Sequence, residues 1–178
     1  NEVVEAMHKG VDVRVFSEMV PAVACPHAKV RELNGRMEYL PLPESVGRLK
    51  TALLHMKFFL RRPVAYLQTL RYALDHRKDA MLWAFRVCVH FAEPLSRFRP
   101  DVIHTHFASH TARYALLISR LLGIPYTMTV HGWYDLYKAP PPYMRELVMH
   151  SLRTVTVCEY NRRHMEREYD IPPGRIEV

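Results

Sequence analysis

The sequence has 178 residues, 49% apolar and 24% charged, the make-up of one soluble globular domain of ordinary size. Lys and Arg exceed Asp and Glu by seven (25 against 18), which favours an anionic partner, although no RNA-stacking motif or basic recognition helix makes nucleic acid an expected one. No apolar run approaches the roughly 18–20 residues that cross a bilayer, and the mixed charges of NEVVEAMHKG exclude a secretory signal at the start.

In chain order, residues 1–9 read as a helix closed by Gly10, and residues 11–16 alternate as a strand. Residues 37–40 read as a second strand, with Pro21, Pro26 and Asn34-Gly35 making a loop and a hairpin-like turn between the two. Residues 45–98 read as helical, with expected breaks at Arg62-Pro63, within 75–79 and before Pro94. Residues 101–107 form a strand after Arg99-Pro100. The following helix is capped by Ser109 or Thr111 and closed by Gly123. Residues 125–130 are the next strand and 142–152 a helix after the stiff triple proline. Residues 153–157, rich in β-branched side chains, are a strand, 160–169 a polar helix, and 171–178 the start of another strand. Strands alternating with helices imply a parallel sheet with right-handed crossovers, a doubly wound, Rossmann-like α/β fold. The strands look covered on both faces. A helix followed by a strand at the start implies that the first, central strand is missing.

The cysteines, Cys25, Cys88 and Cys158, are three, far apart and without a Cys-x-x-Cys pair, so neither disulfides nor structural zinc is expected. Ligands of open α/β sheets bind outside the carboxyl ends of the strands. Three neighbouring ends carry polar groups here: His104-Thr-His106, His131-Gly132 and Cys158-Glu159-Tyr160. His131 is the sharpest candidate, because an imidazole can donate to a sugar hydroxyl or offset a phosphate charge. Its alternative is a ring bonded to a loop carbonyl. Gly132 admits a ligand or a neighbouring backbone. Trp133, Tyr134, Asp135 and Tyr137 offer flat apolar faces and one carboxylate, suited to carbohydrate or to loop packing. His104 and His106 share a strand face, but two ligands are too few for a metal site, and no metal or other cofactor is expected. No P-loop, Gly-x-Gly-x-x-Gly or Gly-x-Ser-x-Gly occurs. In the segment 47–62, Leu49, Ala52, Leu53, Met56 and Leu60 share a helical face beside Arg48, Lys50, Lys57, Arg61 and Arg62. That pattern suits an anionic membrane surface or a core-packing helix with a solvated face.

RPDVIHTHFASHTARYALLISRLLGIPYTMTVHGWYDLY, followed by TVTVCEYNRRHMEREYDIPPGRIEV, resembles the retaining glycosyltransferases of family 4, closest to the exopolysaccharide, colanic-acid-like branch. The likeness covers nearly the whole chain. It implies the amino-terminal, acceptor-binding domain of a GT-B enzyme, whose Gly-rich first loop lies before Asn1 and whose donor-binding domain lies after Val178. The expectation is thus a fragment, inactive alone, of an enzyme using a nucleotide sugar as substrate. It implies that His131 contacts the donor sugar, and that His104, His106 and Phe107 lie at the acceptor side. Cys158 replaces the usual Ser before Glu159, Tyr160 and Asn161, and weakens any donor role there. The expected acceptor is a polysaccharide or lipid-linked glycan, and the expected location is cytoplasmic, peripheral on the inner face of the cell membrane. The competing expectation is a non-catalytic glycan- or lipid-binding module working with a partner subunit.

Overall fold

The computed structural model describes residues 2–17, 30, 32–33, 35–40 and 47–178. The prolines at 21 and 26, Asn34 and Cys25 lie outside the described residues. The chain forms two compact units, 1–48 and 49–178.

In the first unit, helix α1 (Glu2–His8) ends before Gly10, whose φ of 84° suits a residue without a side chain. Strand β1 (Val15–Ser17) pairs in parallel with β2 (Met37–Tyr39), Val15 opposite Met37. The expected hairpin-like arrangement is therefore corrected. A turn does lead into β2, with the Arg36 N–H bonded to the Leu33 carbonyl at 2.8 Å, but two parallel strands need a crossover rather than a hairpin.

Three helices begin at the unit boundary: α2 (Arg48–Arg61, all but its first residue in the second unit), α3 (Pro63–Asp75) and α4 (Met81–Phe98), with a 3₁₀ turn at Arg77–Asp79 before the last. The break at Arg62-Pro63 falls where Pro63 starts α3, a position at which its missing N–H costs nothing. The break expected before Pro94 does not occur, because α4 runs straight through it. Ten residues of α4 are buried, including Val87, Cys88, Val89, Phe91 and Leu95 on both sides of the proline. Their burial, about 2 kcal/mol for each large side chain, outweighs one forfeited backbone bond.

A four-stranded parallel sheet follows, in the order β3 (Ile103–His106), β4 (Tyr126–Val130), β5 (Arg153–Thr156) and β6 (Ile176–Glu177). Helix α5 (His110–Leu122) connects the first two, α6 (Met144–His150) precedes β5, and α7 (Glu159–Glu168) precedes β6. This parallel, helix-crossed sheet is the Rossmann-like α/β class that the alternation predicts. Helix α5 packs on β3 and β4 beneath it and on α3 and α4 beyond. It ends at Gly123, whose φ of 73° closes the helix, while Arg62 Nη1 donates to the Leu122 carbonyl at 2.5 Å. Ser109 stands at the cap position, yet its side chain makes no cap bond there; Thr111 Oγ1 donates instead to the His106 carbonyl at 3.0 Å.

The two faces of the sheet differ, contrary to the uniform cover expected of it. Tyr126, Met128 and Val130 of β4 are buried, as are Thr154 and Thr156 of β5. The hydroxyls of both threonines are satisfied, Thr156 by the Val130 carbonyl at 2.9 Å and Thr154 by Ser151 Oγ at 2.8 Å. On the other face the register sets His104 beside Thr127 and His106 beside Thr129, and none of the four is fully buried. A run of β-branched and apolar residues does not distinguish these cases, since threonine serves either face.

Candidate functional site

In the parallel register, His106 of β3 is level with Thr129 of β4, and Val130 is level with Thr156 of β5. The strand ends thus leave the sheet along one edge, with His106, His131 and Cys158 following in neighbouring positions. His104 lies two residues back from that edge. Its Nδ1 pairs with Thr127 Oγ1 at 2.8 Å and its Nε2 with Thr129 Oγ1 at 3.4 Å, so both ring nitrogens engage the adjacent strand. The His104 and His106 rings meet edge to face at 4.9 Å.

His106 Nδ1 and His131 Nε2 are 2.9 Å apart. A bond between two neutral imidazoles needs one ring to donate and the other to accept, so each ring fixes the tautomer of its neighbour. Phe107 covers His131 from one side, with ring centres 4.6 Å apart. Phe107 itself has a φ of 67°, strained for an aromatic residue. Its N–H nevertheless completes the ladder to the Thr129 carbonyl at 2.8 Å, and the left-handed step then turns the chain towards α5. The strain sits at the carboxyl edge of the sheet, directly against the candidate histidine.

The residues after His131 form a π-helical turn, Trp133–Lys138, with the Ala139 N–H reaching the Tyr134 carbonyl at 3.0 Å. The wide turn carries Asp135 inward. Only 1% of Asp135 is exposed, and its Oδ2 accepts from the backbone N–H of His131 at 3.1 Å. Burial raises the Asp135 carboxyl above its ordinary value, against the N–H groups of His131 and Ala108 and the His131 ring, which act the other way. The carboxylate therefore positions the strand end instead of facing solvent as a sugar-hydroxyl acceptor.

Gly132 adopts φ 120°, ψ −94°, and a Cβ there would lie 2.9 Å from Nδ2 of Asn161. The close neighbour that glycine admits is this buried carboxamide, whose Oδ1 accepts from the Tyr137 hydroxyl at 3.0 Å. Asn161 is thus the brace of the π-turn. Its signal in the sequence is slight: it sits two residues into α7, and only the fold shows it reaching the turn after β4. Trp133 and Tyr134 are exposed, 73% and 52%, and Tyr137 leans on His164 with ring centres 4.8 Å apart.

At the end of β5, Cys158 takes the cap position of α7 without a side-chain cap bond. Glu159 is exposed, and its Oε2 accepts from Arg162 at 2.6 Å and lies 4.0 Å from Arg163. Its carboxylate is turned along α7 rather than to the histidine pair. Tyr160 is exposed. The rim therefore gathers His106, Phe107 and His131 closely, with His104 behind them, Asp135 beneath and Trp133 and Tyr134 outside. Among the basic residues of 48–62, Lys57 pairs with Glu93 at 2.6 Å and Arg62 donates to the Leu122 carbonyl, while Arg48, Lys50, Arg61 and Arg62 are all exposed. Cys88 is buried in α4, which pushes its thiol up, and both Cys88 and Cys158 are free.

Fold and rim together define a Rossmann-like α/β domain with polar, histidine-bearing strand ends. Residues 2–178 match the model of Glycosyltransferase Family 4, and the chain belongs to that family. No curated protein matches the chain.

Proposed function

We propose that this chain is the amino-terminal, acceptor-binding half of a retaining GT-B glycosyltransferase. The enzyme moves a sugar from a nucleotide-sugar donor to a polysaccharide or lipid-linked acceptor. Family membership supports transfer of a sugar as the activity. The observation that carries the assignment of roles is the His106–His131 pair, 2.9 Å apart at the carboxyl ends of neighbouring strands. His131 is the catalytic candidate. Its ring bonds the donor sugar and offsets charge as the bond to the diphosphate breaks, a role suited to a group held still in advance. Asp135 and Gly132 supply that stillness, one through the His131 backbone and the other through Asn161. His106 sets the tautomer, while Trp133 and Tyr134 present exposed apolar rings to an acceptor sugar. The diphosphate itself falls to the donor-binding half, where no metal is called for in this reading.

The test is sugar transfer by the enzyme carrying both halves. His131→Ala is expected to lower kcat by about 100-fold or more while leaving folding intact. His106→Gln, which keeps a bonding partner for His131, is expected to lose less. Transfer at the parent rate by His131→Ala overturns the assignment and favours a glycan-binding module.

A further inference from the structure

Helix α2 turns its apolar stripe away from the protein. Leu49, Leu53, Met56 and Leu60 recur at helical spacing along one side, and they are 74%, 55%, 56% and 70% exposed. The opposite side is the one that seats the helix. Thr51 and Phe58 are buried there, Thr51 Oγ1 pairs with His90 Nε2 at 3.0 Å, and on one flank of the stripe Lys57 grips Glu93 of α4. The stripe is therefore held outward by fixed contacts. Beyond the break at Arg62, the start of α3 also exposes apolar side chains, Val64 and Leu67 at 67% and 52%. Leaving so many large apolar side chains in water is costly on a surface that nothing covers.

The charges around the stripe indicate what covers it. Lys50 and Arg61 lie on one flank, about a quarter turn away, and Arg48 on the other. From Gly47 to Leu74 the chain has no Asp or Glu at all, while Arg48, Lys50, Lys57, Arg61, Arg62 and Arg71 bring six cations. Helix α7 shows the contrast: EYNRRHMERE mixes both signs, as a solvated face does. An apolar stripe flanked by cations, in a stretch from Gly47 to Leu74 that carries no carboxylate of its own, matches a surface that is apolar within and negative at its rim. A lipid interface with anionic headgroups has both properties. No described helix is long and apolar enough to cross a membrane, so the fitting geometry is α2 lying along the interface.

We propose that the outward face of α2, continued by the start of α3, docks this protein on an anionic lipid bilayer. Leu49, Leu53, Met56 and Leu60 enter the headgroup–acyl boundary, and Lys50 and Arg61 meet the lipid phosphates. At 14 residues, α2 offers a contact about 21 Å long. The inference stands apart from the transfer reading, because docking needs neither a donor nor the histidine rim.

The experiment is flotation of the protein with vesicles of phosphatidylcholine alone or mixed with phosphatidylglycerol. The parent is expected to float with the mixed vesicles, to stay behind with neutral ones, and to be released by high salt. Lys50→Gln with Arg61→Gln is expected to weaken binding about thirtyfold, five- to sixfold per cation. Leu53→Gln with Leu60→Gln is expected to weaken it at least about tenfold, with circular dichroism unchanged in both pairs. Failure of the parent to float, equal binding to neutral vesicles, or parent-like binding by both variant pairs overturns the proposal. So does a dimer in sedimentation that Leu53→Gln with Leu60→Gln dissolves, since a second copy would then be the cover.

Discussion

Helices α2 and α5 carry the same kind of pattern and use it in opposite ways. Both place apolar residues at helical spacing, over 14 residues in one and 13 in the other. Helix α5 buries eight residues, from Ala112 to Leu122, between the sheet and two further helices. Helix α2 buries two, Thr51 and Phe58, and leaves Leu49, Leu53 and Leu60 in water. Periodicity thus defines a stripe but not the medium it faces. What separates the two is the company the stripe keeps: α5 has its cations Arg113 and Arg120 bonded or stacked within the fold, whereas α2 has exposed ones beside its leucines.

The contrast is broken most directly by truncating a leucine on each helix, and the larger effect belongs to α5. Leu121→Ala removes a fully buried side chain and is expected to cost about 3 kcal/mol in urea unfolding. A cost near zero would mean that α5 is not the core helix.

A smaller effect concerns how α2 is seated. Burial lowers His90, helped by the charges of Lys50, His55 and Arg86, and burial lowers His55 as well. A depressed folded value means the unfolded chain takes up protons first as the pH drops, so stability is full above about 6.5 and is lost as pH falls towards the lowered folded values. The melting temperature is expected to fall over that window, and His90→Gln to flatten part of the slope. An unchanged slope in that variant would place the titrating group elsewhere.

The smallest expected change is Leu60→Ala, within about 0.5 kcal/mol of the parent by the same unfolding measurement, since the side chain is 70% exposed. A loss comparable with that of Leu121→Ala would show the α2 stripe to be covered in solution.

Much of the sheet is legible in the sequence. The β-branched run at 153–157, the Gly123 stop and the Arg62-Pro63 break all express local preferences that the fold keeps. Pro94 shows the limit. By local rule it ends a helix, but the packing of the residues around it decides otherwise, and packing is not written in any short window. The parallel pairing of β1 with β2 is hidden for the same reason, since pairing direction depends on a connection rather than on the strands. At the rim, the clustering of His106 and His131 follows from parallel strands ending level, which the alternation of elements already implies. The inward path of Asp135 does not follow, because a π-turn shifts the phase of every residue after His131. Asn161 is harder still, being a contact between segments nearly thirty residues apart, roughly the span of one βαβ unit.

Asp135 grips the main chain of His131, not its ring, and Asn161 closes against a glycine. The bearing of the imidazole is thereby written into buried amide groups, out of reach of whatever occupies the outer shell. Trp133 and Tyr134 can be exchanged for other side chains without disturbing that anchorage. Under the proposed roles of these residues, a lineage would retune which sugar it accepts by redrawing two rings, while the His131 ring beneath stays where it is.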